Sequence, residues 1–312
     1  MRLLAACLLF ALFVPALGPA PAAAQEWTSP FGRQHPLTGK VYDVAADAFV
    51  SPDQLIGRLR AARYVLLGEI HDNADHHRLQ GSVIAALAKA GRRPVVAFEQ
   101  LDPTQQAALD RYLSIPGDAA GLGRAVRWSR AWPDWTLYQP IAEAALGAGL
   151  NIVGANVTDD AIRTYMRDRA AVDADFAART FLNAPLPAAD QRTLERELVA
   201  MHCGTTGPII QQMAFAQRVR DAAFADTLVR KDEGDGGVLI AGSGHVRKDR
   251  GVPWVLRQMN PELAVAALGF VEVSEGLLQA PDYRRAFDAA ALPFDYVWFT
   301  PATTRGNSDP CR

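Results

Sequence analysis

A chain of 312 residues, 49% of them hydrophobic, has enough apolar material for one large core or two modest ones. Its 32 Lys and Arg against 34 Asp and Glu leave a net charge of −2. That balance lacks the cationic excess that phosphate backbones select for, so no nucleic-acid partner is expected.

Residues 1–24 combine Arg2, a short apolar run broken by Pro15 and three alanines at 22–24. This is the layout of a secretory leader cleaved near Ala24, so the mature protein is expected to be periplasmic or secreted. "LAAC" at 4–7 matches a lipidation signal by letters, but almost no apolar segment precedes it. Cys7 is therefore assigned to the leader, and no lipid anchor is expected. Cys203 and Cys311 remain for an oxidising compartment, where a bridge between them can persist; their spacing does not read as a metal site. Residues 25–50, rich in Pro, Gly and polar side chains, read as an extended arm. "SPDQLIGRLRAA" then opens a helix, with Ser51 as N-cap and Pro52 in the first turn.

From there, short apolar runs alternate with helical patterns. "RYVLLGE" leads into a helix from about Asp72 to Lys89, stopped by Gly91. "RPVVAFEQ" precedes "PTQQAALDRYL", and "LNIVGAN" precedes "TDDAIRTYMRDRAA", which Thr158 caps. "GGVLIAGSGHV" precedes "GVPWVLRQM", and "LAVAALGFVEV" and "YVWFTPA" read as two further strands. Continuously apolar strands between helices predict an α/β fold, a mainly parallel sheet covered by helices on both faces. Residues 51–300 form one domain in this reading. About 158–230 is an inserted helical layer or lid, and 301–312 is a tail.

Four of these runs end in polar residues: Glu69 with His71 two positions on, Glu99, Asn156 and, past two glycines, His245. Ligands of open parallel sheets bind outside the strands' carboxyl ends. Carboxylates are rarely buried without a partner, so Glu69, His71, Glu99 and His245 are predicted to share one site. Asn156 reads as a cap or turn residue, and Asp72 and Asn73 as the start of the next helix. His76 falls on the apolar face of that helix and His77 on its flank. His76 is either a satisfied first-turn residue or a ligand reaching the strand's end. His202 could enter from the lid. The chain has no HExxH, no nucleophile elbow around Ser243, no G-x-G-x-x-G after a strand and no phosphate loop.

The blocks "LLGEIHDNADHHRLQ", "VAFEQ", "WTLYQPI", "AQRVRDAAFAD" and "IAGSGHVRKDRGVP", in order from about Tyr64 to Leu256, together resemble the ChaN-like haem-binding uptake family. That family belongs to a wider group with Tiki metalloproteases and erythromycin esterases. The resemblance implies an exported α/β protein that binds haem, with two haems face to face across a homodimer and a tyrosine on the iron. It also implies a haem-transport component of the outer membrane or periplasm as partner. In the wider group the Gly-Glu-x-His and Gly-x-x-His blocks, here Glu69, His71 and His245, form a metal or general-base site.

Two functions follow. A haem carrier needs an axial ligand, a flat apolar wall and cations for the propionates. Tyr138 is the expected ligating tyrosine, with Tyr165 and Tyr112 as competitors and His71, His76 and His245 as other binding residues. Trp128, Trp132 and Trp135 offer a wall or simply pack the helical layer. Arg247, Lys248 and Arg250 offer cations or line a solvated loop. The alternative is a hydrolase in which Glu69, His71, Glu99 and His245 hold a divalent metal ion or act as a metal-free general base.

Overall fold

The computed structural model describes residues 26–305; the expected leader and Cys311 lie outside the described residues. The expected arm contributes two strands. β1 (Val41–Asp43) and β2 (Ala48–Val50) pair antiparallel, and β1 pairs antiparallel with β8 (Tyr296–Thr300) near the end of the chain. The buried run Val41, Tyr42, Asp43 thereby covers a sheet edge that would otherwise expose a row of unpaired backbone groups.

Six strands inside this hairpin run parallel. β3 (Tyr64–Glu69) lies between β6 (Gly237–Gly242) and β7 (Val265–Glu272). β4 (Val95–Phe98) joins β6 to β5 (Ile152–Gly154), and β8 follows β7. The order across the sheet is β2-β1-β8-β7-β3-β6-β4-β5. All six residues of β3 and of β6 are buried, as continuously apolar parallel strands require.

Helices cover both faces. On one side α1 (Pro52–Leu59), α2 (Ala74–Lys89), α3 (Pro103–Leu113), α4 (Ala119–Ala125) and α5 (Trp135–Gly147) bury Leu55, Leu79, Val83, Leu109, Leu122 and Ile141. α1 begins in a reciprocal capping box between Ser51 and Gln54. α2 starts at Ala74, because Asn73 caps it by accepting from the backbone N–H of Asp75 and His76. α2 and α5 cross closely at Gly81, where a β-carbon would stand 2.6 Å from the carbonyl oxygen of Pro140.

The expected insertion comprises α6 (Asp159–Arg167), α7 (Ala174–Arg179), α8 (Ala188–Met201) and α9 (Pro208–Lys231). Ile162, Ala177, Phe215 and Val219 form its own small core. α9 is more than a lid element. Its carboxyl half returns to the sheet, where Phe224, Ala225 and Leu228 pack with Val255 and Leu256 of α10 (Val252–Met259). Cys203 in the insertion is disulfide-bonded.

Candidate functional site

Register decides what the sheet presents at its carboxyl edge. Glu69, the last residue of β3, stands opposite Gly242, the last of β6. Glu99 directly follows β4, whose Phe98 pairs with Ile240 of β6. Three adjacent strands therefore deliver Glu69, Glu99 and the Gly242 turn to one place.

The Glu69 carboxylate is buried, and one of its oxygens carries most of its contacts. Its Oε1 accepts from Tyr138 Oη at 2.9 Å and Gln100 Nε2 at 3.0 Å, and lies 2.9 Å from His71 Nδ1. Oε2 stands 3.2 Å from His77 Nε2. Burial alone would raise this carboxyl, but the neighbouring His77 and His71 outweigh it and hold it far below the usual carboxylate range.

Glu99 repeats the arrangement one strand over. Its Oε2 accepts from the Gly242 N–H at 2.7 Å, and its Oε1 lies 3.3 Å from His245 Nε2. The other nitrogen of His245 meets Asp221 Oδ1 of α9 at 2.7 Å. Burial disfavours the His245 cation, yet the flanking Glu99 and Asp221 charges push its pKa up to about 10. Asp221 is raised by its burial against the pull of His245. The two halves meet at Gly242, where an added β-carbon would fall 3.0 Å from His71 Nε2 and 3.7 Å from Glu99 Oε2. Imidazole and carboxylate thus alternate through His77, Glu69, His71, Glu99, His245 and Asp221. Burial opposes charge on His71, and the Glu69 hydrogen bond with the Glu99 and Glu69 charges raises its pKa.

Two cavities flank this array. A polar cleft of about 280 Å³ is lined by Glu99, Gln100, Asn156, Arg220 and His245, with Trp132 at its edge. An open hollow of about 660 Å³ adjoins it, sharing Ser129 and Trp132, and carries Trp128, Trp135 and three arginines in its lining. The Trp132 ring stands edge-on to His71 with centroids 5.0 Å apart.

The structure brings Glu69, His71, Glu99 and His245 together and leaves several expected ligands elsewhere. Tyr138 is 0% exposed and packs between His77 and Trp128. Burial and then the Glu69 charge drive its phenol well above the ordinary tyrosine value, and its hydroxyl donates to Glu69. Tyr112 is tied to the backbone of Asp118, and Tyr165 packs in the insertion core. His76 is fully buried. Its Nδ1 accepts from the Ile70 N–H at 2.9 Å and its Nε2 lies 2.8 Å from Thr300 Oγ1, so neither nitrogen is open to a ligand. Arg247 is neither cleft cation nor solvated loop: at 1% exposure it bonds Glu197, Asp249 and the Phe287 carbonyl. Arg250 shares Glu197, and Lys248 pairs with Asp295. Trp135 lines the hollow while donating Nε1–H to the Ala119 carbonyl. Asn156 makes a turn, donating to the Glu99 carbonyl. His202 bonds the carbonyl of Leu198 within its own helix end.

The expected divalent-metal site is not supported. Among the described residues no three His, Cys, Asp or Glu side chains are placed to hold an ion. Sequence reasoning missed Asp221, Gln100 and the role of His77. Asp221 falls on the buried stripe of α9 with Ala214, Ala225 and Leu228, and an acid on an apolar stripe is the signal that marks it.

Residues 55–256 match the family model described as "Haem-binding uptake, Tiki superfamily, ChaN". Among solved structures, that of cofacial heme binding to ChaN of Campylobacter jejuni aligns with TM-score 0.65 and 21% identity, covering 83% of this chain and 95% of that one. An erythromycin esterase, EreC, in its open conformation aligns at 0.48 and 13% identity over 82% and 94% of the two chains. The type III effector HopBA1 aligns at 0.45 and 16% identity over 80% and 92%. The Campylobacter likeness shows a shared fold. No curated protein gives a significant match.

Proposed function

Because this chain belongs to the ChaN haem-binding uptake family of the Tiki superfamily, we propose that it binds haem at the carboxyl edge of its sheet, against Trp132, with His71 Nε2 on the iron. The observation that carries this reading is the state of His71. It is the partly open imidazole of the array, with 36% of its side chain exposed. Its Nδ1 is engaged by Glu69, and among the described residues no hydrogen bond occupies its Nε2. A carboxylate behind an imidazole fixes the tautomer, aims the other nitrogen outward and raises its basicity as a ligand. Histidine is an established haem ligand. The indole-lined hollow of about 660 Å³ beside it suits a planar tetrapyrrole.

The hydrolase alternative has less support. A general base works best with a pKa near the operating pH, whereas His245 sits near 10 between two carboxylates. As part of the same proposal, the mature protein works beyond the inner membrane. There it exchanges haem with a transport component, and a second copy is able to close over the ring.

The test is titration of the mature protein with hemin, followed in the Soret region. Saturable binding with a histidine-ligated spectrum is expected, lost or converted to a water-ligated form in His71→Ala. A His71→Ala protein that binds with an unchanged spectrum would refute the ligand assignment.

A further inference from the structure

The hollow beside the site holds three guanidinium groups that make no contact with the Glu69–His71 pair. Arg124, Arg127 and Arg130 line it together with Trp128, Trp132 and Trp135. All three arginines are exposed. Among the described residues none of them lies within ion-pair distance of a carboxylate, whereas Arg220 in the adjoining cleft pairs with Asp159. Asp134, the acid in the same lining, is committed elsewhere: it caps α5 by accepting from the Thr136 N–H and hydroxyl.

Arg127 adds a second, independent observation. It occupies the left-handed region with φ 51°, just past the end of α4. There the Trp128 N–H bonds the Gly123 carbonyl and the Arg127 N–H bonds the Arg124 carbonyl. This is the Schellman position, where glycine is usual because a side chain is strained. An arginine there carries a conformational cost that glycine would not, and it keeps a third cation in the lining of the hollow.

Building on the haem reading, we propose that Arg124, Arg127 and Arg130 form a carboxylate seat that selects dicarboxylate tetrapyrroles by their propionates, independently of iron. The porphyrin plane lies against the indoles, which attract flat rings and their edges. The guanidinium forks take the carboxylates, a pairing they suit in geometry and charge. The seat accounts for ligand choice, and His71 accounts for the iron.

The experiment uses iron-free deuteroporphyrin and its dimethyl ester, with quenching of the protein's tryptophan fluorescence as readout. The diacid should bind about tenfold or more tightly than the ester, a gap that narrows as salt screens the exposed cations. The double variant Arg127→Gln/Arg130→Gln should bind the ester as the wild type does and lose the preference for the diacid. Equal binding of diacid and ester by the wild type would overturn the proposal, as would a preference that survives in the variant. Hemin binding with no uptake of the iron-free diacid would also overturn it. Failure of hemin and both porphyrins together would instead remove the haem reading on which the seat rests.

Discussion

Replacing Tyr138 by Phe separates the role this structure gives the residue from that of a haem ligand. The substitution keeps the ring between His77 and Trp128 and deletes one hydroxyl, which donates to Glu69 Oε1 at 2.9 Å and receives Gln100 Nε2 at 3.4 Å. A buried hydrogen bond to a charged group contributes about 1.5–3 kcal/mol. Orphaning a buried charge would cost about 3–5 kcal/mol, but Glu69 keeps Gln100, His71 and His77, so the smaller range applies. A loss of about 2 kcal/mol corresponds to a Tm roughly 3–4 °C lower in a domain of this size. Thermal and urea unfolding followed by circular dichroism measure it. Hemin added to the folded variant should give the same ligand signature as the wild type. Unchanged stability, or a folded variant whose iron spectrum changes, would refute the reasoning.

Gly242→Ala should weaken hemin binding while leaving the fold intact, because its β-carbon meets His71 Nε2 at 3.0 Å and displaces the imidazole; titration and unfolding on the same sample check both halves. Gly81→Ala should destabilise by roughly 1–3 kcal/mol in urea unfolding. The clash at 2.6 Å with the Pro140 carbonyl exceeds the helix-propensity gain of about 1 kcal/mol for alanine. Stability should decline at both ends of the pH scale. The pKa of buried His76 is lowered to about 3, so the unfolded chain takes up a proton that the folded one refuses, and stability falls as pH drops from about 6.5 towards 3. His245 is raised to about 10, so its contribution is complete below about 6.5 and is lost as pH climbs through 10. Urea midpoints across pH test both, and Asp221→Asn should shrink the alkaline loss.

The strand ends were the most legible part of the chain. Continuous apolar runs closing on Glu69, Glu99 and the Gly242 turn announced a parallel sheet with a site at one edge, and short-range pattern is enough for that. The edge hairpin in residues 25–50 was hidden, because its three-residue strands gain stability only by pairing with β8, some 250 positions later in the sequence. Helix periodicity separates His76 on the apolar face from His77 on its flank, but it does not show which of them meets the site. A rotation of one residue about α2 sends His76 to Thr300 and His77 to Glu69. Arg247 looked like a loop cation because its partner Glu197 belongs to a distant helix. Asp221 lies inside the block "AQRVRDAAFAD", and only the fold shows that it backs His245.

A crystal structure of the hemin-loaded protein is the most direct measurement of the central claim, that the alternating acid–imidazole array ends in an iron-binding nitrogen. The account predicts iron bonded to His71 Nε2, Glu69 still on Nδ1, and the ring stacked in the tryptophan hollow. Iron held by a tyrosine, or a porphyrin seated on any other face of the sheet, would contradict it.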